Sequence, residues 1–233
     1  MTPPRAGSTP TLVIFDCDGT LVDSQDAIFR AMATAFAGAG RAAPAAADVR
    51  RVVGLSLPEA MARLVPDGCG EDHAALAAHY RDAFTAQHTD GAPHGTLFPG
   101  AAEAVARLDA RGYLLGIATG KSRRGLATTL AGHGLEHLFA TVQTADDAPS
   151  KPHPAMVAQA IAATGARPET TVLIGDTAFD MAMALAAGAG ALGVGWGYHP
   201  PEELRAAGAH RVVDSFDQVD DAVEALIALR RER

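Results

Sequence analysis

Two carboxylates, Asp16 and Asp18, stand two residues apart at the end of the apolar run Thr11-Leu12-Val13-Ile14-Phe15, and Gly19-Thr20 follows them. Such a run reads as a buried strand. A strand tip is a rigid support that faces the open end of a sheet, where ligands of α/β folds bind. Two acids placed there can divide the work of nucleophile and proton carrier, and both can help to hold a hard cation. Asp and Gly are also common turn residues, so the segment alone equally describes a strand followed by an acidic turn.

Three further segments carry matching chemistry. Val172-Leu173-Ile174-Gly175-Asp176 again delivers an acid at the tip of an apolar run, with Asp180 four residues on, on the same face if a helix has begun. Thr119-Gly120-Lys121-Ser122 closes another apolar run; a hydroxyl and backbone N–H groups at a strand-to-helix turn make an anion site, or serve as an ordinary helix cap. In Ser150-Lys151-Pro152-His153-Pro154 the prolines fix a loop that holds Lys151 at a helix start. A cation there can bind phosphate or screen clustered carboxylates; a solvated surface lysine is the alternative. Lys121 and Lys151 are the only lysines in the chain, and both fall in these loops. His153, between prolines, reads as structural.

Other signals lead elsewhere. Gly-Lys-Ser suggests a P-loop, but Gly116 precedes Gly120 by one residue too few and lies within a strand. Gly188-Ala189-Gly190-Ala191-Leu192-Gly193 has dinucleotide-fingerprint spacing, yet it follows a helix and enters a strand, the reverse of what that site needs. Alternation turns Cys17 away from the flanking acids, toward packing. Arg50, Arg51 and Arg123 could each reach a substrate, with solvated charges as the competing reading.

The elements that must position these groups alternate. Strand-like runs lie at Leu12–Phe15, Leu114–Ala118, Ala140–Val142, Val172–Gly175 and Ala191–Val194, with a weaker one at Arg211–Val213. Helix-like runs separate the later ones: Ala101–Ala110, Ser122–Ala131, Pro154–Ala163, Phe179–Ala187 and Val219–Arg230. This order predicts an α/β fold, a Rossmann-like parallel sheet with helices on both faces. Residues 23–95 break the alternation and read as all-helical: Ser24–Ala37, a helix after Leu57-Pro58, and Glu71–Gln87, with no convincing strand between. Ala42–Ala47 is a low-complexity patch, and Thr89–Gly95 reads as a linker. The expected organisation is a core of residues 1–20 and 96–233 with a helical insert, residues 21–95, placed to act as a lid.

Composition narrows the function classes. The 233 residues are 48% hydrophobic, enough for a sizeable core. A net charge of −8 argues against a nucleic-acid partner, which needs a basic face. No apolar run is long enough for a membrane helix. Residues 1–10 lack signal-peptide character and read as a frayed tail. Cys17 and Cys69 alone make a disulfide framework improbable, so a reducing cytoplasm is the expected location.

Taken in order, Asp16-Cys17-Asp18-Gly19-Thr20, Thr119, Lys151 and Gly175-Asp176 with Asp180 resemble the motifs of the haloacid dehalogenase-like (HAD) hydrolase superfamily, over nearly the whole chain from about residue 10. The helical insert resembles that family's C1-type cap. Leu21-Val22-Asp23-Ser24 is similar to the phosphoglycolate phosphatase-like branch. The resemblance implies that Asp16 attacks phosphorus and becomes an aspartyl-phosphate, and that Asp18 protonates the leaving alcohol and then takes a proton from water. It implies Mg²⁺ held by Asp16, the Asp18 carbonyl and Asp176, with Asp180 ordering the surrounding shell. Thr119 and Gly120 would bind the phosphoryl oxygens, and Lys151 would neutralise phosphate and nucleophile. The implied substrate is a small phosphate monoester such as 2-phosphoglycolate. Dehalogenases of the superfamily lack the acid at position 18, so Asp18 favours phosphoryl transfer. A sugar phosphomutase similar to β-phosphoglucomutase, or a pyrophosphatase, would use the same core. A phospho-accepting receiver domain also sets acids, Thr and Lys around a parallel sheet, but is much shorter and has no lid.

Overall fold

The structure is a computed structural model and describes residues 9–87 and 95–231. The tail read over residues 1–10 and the linker read over Thr89–Gly95 lie almost wholly outside the described residues. The first strand is short and entirely apolar, β1 (Leu12–Phe15), and every side chain in it is buried. Alternation sends Val13 and Phe15 to one side of the sheet and Leu12 and Ile14 to the other, each into its own apolar layer. A strand buried on both faces belongs at the centre of a covered parallel sheet.

It lies there. β1 pairs in parallel with β4 (Leu114–Thr119) and with β6 (Thr171–Gly175). β5 (Thr141–Thr144) extends the β4 side, and β7 (Gly190–Val194) and β8 (Arg211–Val213) extend the β6 side, giving the order β5-β4-β1-β6-β7-β8. The chain builds outward from β1 on one side, then crosses to the other. That reversal leaves a crevice at the carboxyl ends of β1, β4 and β6. On the Val13/Phe15 face pack α5 (Ala101–Ala110) and α10 (Val219–Arg231), through Ala104, Val105, Leu108, Val223 and Leu226. On the Leu12/Ile14 face pack α7 (Ala155–Thr164), α8 (Ala178–Ala186) and α9 (Pro201–Ala206), through Met156, Val157, Met181, Ala184 and Leu204. α6 (Arg123–Gly132) follows β4, with Ser122 accepting a bond from the Gly125 N–H at its start.

Between the first two core strands lie α1 (Gln25–Gly38), α2 (Ala46–Arg50), α3 (Leu57–Leu64) and α4 (Gly70–Ala86). α1 buries Ile28, Met32 and Phe36, one apolar face at helical spacing. Those residues, with Val49, Val53, Met61, Val65 and Leu76, form a separate apolar cluster. Three features depart from the sequence reading. The Ala-rich patch runs into α2, and α9 begins at Pro201, with Pro200 just before it. The insert is also bounded by a two-stranded antiparallel ribbon, β2 (Val22–Asp23) with β3 (Thr96–Leu97), where no strand was expected. Strands this short show no alternation to read.

Candidate active site

The carboxyl end of β1 carries Asp16 into a fully protein-lined position. Its N–H donates to the Ile174 carbonyl at 2.9 Å, continuing the pairing with β6 beyond the strand. Its Oδ1 lies 2.9 Å from Lys151 Nζ and accepts from the Cys17 N–H at 2.7 Å. Its Oδ2 is buried with no hydrogen-bond partner among the described residues. Lys151 Nζ reaches Asp180 Oδ1 as well, at 2.7 Å, and the lysine side chain has no solvent exposure. The other Asp180 oxygen accepts from the Thr177 hydroxyl at 2.6 Å and the Thr177 N–H at 3.1 Å. Thr177 caps α8 in return, so the helix start and the Lys151 partner are fixed together.

Asp176, at the end of β6, is equally buried. Its Oδ1 accepts from the Thr20 hydroxyl at 2.8 Å and its Oδ2 from the Tyr198 N–H at 2.8 Å. The turn after β1 passes so close that a Cβ on Gly19 would lie 2.2 Å from Asp176 Oδ2, and Gly19 has φ +84°, so no other residue fits there.

Asp16, Asp176 and Asp180 each present an oxygen within 4.8 Å of the others. Lys151 supplies a single positive charge against three buried carboxylates. Burial pushes Asp16 up to about 7, with Asp180 adding to the rise against the opposing pull of Lys151. Burial also raises Asp176 well above the usual carboxylate range, reinforced by Asp16 and Asp180. For Lys151, burial alone would lower the pKa, but Asp16 and Asp180 outweigh it and push it up. A buried, partnerless Asp16 oxygen beside two more hard oxygen donors and an uncompensated negative charge fits a small divalent cation.

Asp18 behaves differently and contributes no carboxylate oxygen to that cluster. Its Oδ1 accepts from Ser24 Oγ at 2.6 Å and lies 2.9 Å from Lys121 Nζ. The Lys121 ammonium also sits 5.2 Å from the centre of the Phe84 ring on α4. Thr119 is buried at the end of β4, and its hydroxyl accepts from the Lys121 N–H at 3.2 Å. Asp16, Asp18, Thr119 and Gly120 line one cavity of about 850 Å³, which extends under α1, α2 and α4. The insert is seated on the core beside it: a Cβ on Gly120 would lie 2.5 Å from the Leu55 carbonyl oxygen, and the Ser56 N–H donates to Ser150 Oγ at 2.8 Å.

The structure thus gathers Asp16, Lys151, Asp176 and Asp180 into one buried group, with Asp18, Thr119 and Gly120 on the adjoining wall. Cys17 is buried in the core, and His153 accepts from the Ala155 N–H at the start of α7. Arg50 donates to Gln25, Arg51 pairs with Glu203 and Arg123 with Asp147, and none of the three lines the cavity. Sequence reasoning did not find the contacts of Thr20, Ser24, Lys121 or the Tyr198 amide. For Thr20 and Ser24 the only signal was proximity to the acidic pair; for Lys121, its loop. The Tyr198 bond is a backbone contact and has no signature in residue type.

The chain is similar to known proteins over most of its length. The profile of the family described as haloacid dehalogenase-like hydrolase matches residues 13–194. A protein of Dickeya dadantii named "Probable phosphatase IndB" is 37% identical over 220 residues, covering 94% of this chain and 95% of that protein. A phosphoglycolate phosphatase of Nitrosococcus oceani is 29% identical over 213 residues, covering 90% and 95%. Among solved structures, a hydrolase from Pseudomonas syringae superposes with a TM-score of 0.81 at 27% identity, covering 92% of this chain and 98% of that one. The chain belongs to the haloacid dehalogenase-like hydrolases. Within them it falls in the phosphoglycolate phosphatase-like branch, and its enzyme class is phosphatase.

Proposed function

We propose that this phosphatase is Mg²⁺-dependent and hydrolyses a small-molecule phosphate monoester through an aspartyl-phosphate on Asp16. The observation that carries the reading is Asp16 itself. One oxygen is pinned by Lys151 at 2.9 Å, and the other is buried with no partner among the described residues, at the cavity that also holds Asp18 and Thr119. A carboxylate oriented so tightly loses little further freedom on attack.

In the first half-reaction an Asp16 oxygen bonds to phosphorus while the bond from phosphorus to the alcohol oxygen breaks. Asp18 gives its proton to that departing oxygen. In the second, water attacks phosphorus, Asp18 takes its proton, and the Asp16 carboxylate leaves. Thr119 and the Gly120 N–H hold the phosphoryl oxygens. Lys151 offsets the negative charge shared by nucleophile and phosphoryl group. Asp16, Asp176 and the Asp18 backbone carbonyl would hold Mg²⁺, with Asp180 positioning Lys151 and the surrounding shell. Bound there, the cation neutralises phosphate charge and orients the ester for in-line displacement. Lys121 and Ser24 hold the Asp18 carboxylate at the cavity wall.

The proposed organisation is a catalytic core of residues 1–20 and 96–233 closed by a cap of residues 21–95. The substrate is a small ester, with no nucleic acid or membrane partner. Among the described residues no helix is long and apolar enough to cross a membrane. A reducing cytoplasm suits the two free cysteines. The phosphoglycolate phosphatases among the relatives make 2-phosphoglycolate the first ester to test. The experiment is phosphate release from a panel of esters with Mg²⁺ and with EDTA, alongside Asp16→Asn. Metal-dependent release that the variant lacks supports the reading; release unaffected by EDTA or by the substitution refutes it.

A further inference from the structure

Each of the two acids assigned to the chemistry has its own lysine. Lys151 is committed to Asp16 and Asp180. Lys121 goes to Asp18, with Nζ 2.9 Å from Oδ1 and a side chain only 7% exposed. The other cations lining the cavity, Arg81 and Arg124, are exposed.

Lys121 is placed along its whole length. Its N–H donates to the Thr119 hydroxyl at 3.2 Å, which ties it to the tip of β4. Its stem runs along the start of α6, where a Cβ on Gly125 would lie 3.3 Å from Lys121 Cγ. Its ammonium lies over the Phe84 ring of α4, 5.2 Å from the ring centre. The head of the lysine is therefore held from the core through Asp18 and from the insert through Phe84.

The contacts to Asp18 are one-sided. Lys121 Nζ at 2.9 Å and Ser24 Oγ at 2.6 Å both meet Oδ1. An ammonium has donors and no acceptor, so Oδ1 stays an acceptor beside it whether or not the carboxyl carries a proton. The proton then has to ride on Oδ2. A carboxyl without such a constraint could hold its proton on either oxygen and turn about its last torsion, and only part of that range faces a departing alcohol.

We propose, building on the phosphatase reading above, that Lys121 is the positioning residue of Asp18: it fixes Oδ1 as a permanent acceptor, confines the transferable proton to Oδ2, and takes its own place from Phe84 of the insert. In the first half-reaction the proton passes from Oδ2 to the departing alcohol oxygen. In the second, a proton of the attacking water returns to Oδ2. The Lys121 contact to Oδ1 persists through both, and the phosphoryl oxygens are left to Thr119, Gly120 and Lys151.

The test measures kcat/KM of the Mg²⁺-loaded wild type, Lys121→Met and Phe84→Leu for p-nitrophenyl phosphate and for the best-hydrolysed alkyl ester of the panel. The inhibition constant of inorganic phosphate is measured alongside, and folding is checked by thermal melting. An alkoxide needs the Asp18 proton in order to leave, and p-nitrophenolate does not. The alkyl-to-aryl ratio therefore isolates proton transfer, and a loss of correctly folded protein cancels from it. The expected ratio is about tenfold lower or more in Lys121→Met, part of the roughly 10²–10⁴-fold that a positioned acid supplies, and severalfold lower in Phe84→Leu. The phosphate inhibition constant should stay within about twofold of wild type. An unchanged ratio in Lys121→Met overturns the proposal. So does an equal loss on both esters with a matching rise in the phosphate inhibition constant, which would make Lys121 a phosphate contact. If Lys121→Met does not fold, Phe84→Leu decides by the same ratio. Wild type that hydrolyses p-nitrophenyl phosphate but no alkyl ester also overturns the proposal, whereas wild type that hydrolyses neither refutes the phosphatase reading on which it rests.

Discussion

Lys151→Met removes the only cation among the described residues in contact with the buried acids Asp16 and Asp180 and replaces it with an uncharged side chain of similar length. In the native protein the ammonium sits 2.9 Å from one carboxylate and 2.7 Å from the other, and all three side chains have at most 1% exposure. Breaking such a pair from one side leaves uncompensated buried charge and costs roughly 3–5 kcal/mol. For a chain of this size each kcal/mol moves the melting temperature by about 2–4 °C, so the variant should melt about 6–20 °C below the parent in EDTA. Lys151→Arg should not restore stability, because a guanidinium is larger and planar and the slot is closed on every side. The assay is calorimetric unfolding at neutral pH without metal, with phosphate release in Mg²⁺ measured in parallel. A variant that melts within about 2 °C of the parent and keeps its turnover would refute the view that Lys151 holds this acid cluster together.

Two more predictions follow from the same geometry. Asp16 is held up to about 7 in the fold against an ordinary 3.8, so its protonated form is the one the metal-free fold prefers. That contribution is fully present below 3.8 and is lost as the pH rises through about 7, on the order of 4 kcal/mol at ~1.4 kcal/mol per pKa unit. Metal-free wild type should therefore lose stability relative to Asp16→Asn as pH rises across that window, and Mg²⁺ should stabilise wild type more at the alkaline end; parallel melting curves at every pH would contradict this. In Gly120→Ala the new Cβ would lie 2.5 Å from the Leu55 carbonyl oxygen and 2.6 Å from that of Gly54, so the insert must retreat from the core. The expected effect is about a tenfold loss in kcat/KM, ~1.4 kcal/mol of transition-state stabilisation, and unchanged kcat/KM would show that the contact does not matter.

The parallel-sheet part of the molecule was legible for a physical reason. Strands buried on both faces are continuous apolar runs, and β1 and β6 each end abruptly at an aspartate. β4 ends in Thr119, and the Lys151 loop is marked by prolines, so the strand tips could be read one by one and joined by fold order. Asp180 was readable because a helix had to start after β6. What the sequence hid lies in partners distant along the chain. The Asp18–Lys121 pair, the Thr20–Asp176 bond and the Tyr198 amide on Asp176 join segments that no periodicity brings together. The two-residue ribbon at Val22–Asp23 and Thr96–Leu97 is too short to alternate, and α2 rises from an alanine run with no apolar face of its own. The insert read only as helical, because side-chain spacing along one helix does not define the cavity that its helices enclose with the core.

The most direct test of the central claim is to trap the phosphorylated protein. Wild type and Asp16→Asn would be mixed with a hydrolysed ester and Mg²⁺, quenched in acid during turnover, and the peptide spanning Asp16 analysed by mass spectrometry. The account predicts a phosphoryl group on Asp16 in wild type, absent in EDTA and absent in the variant. Turnover without any phosphoryl group on Asp16, or with the group on another residue, would contradict it.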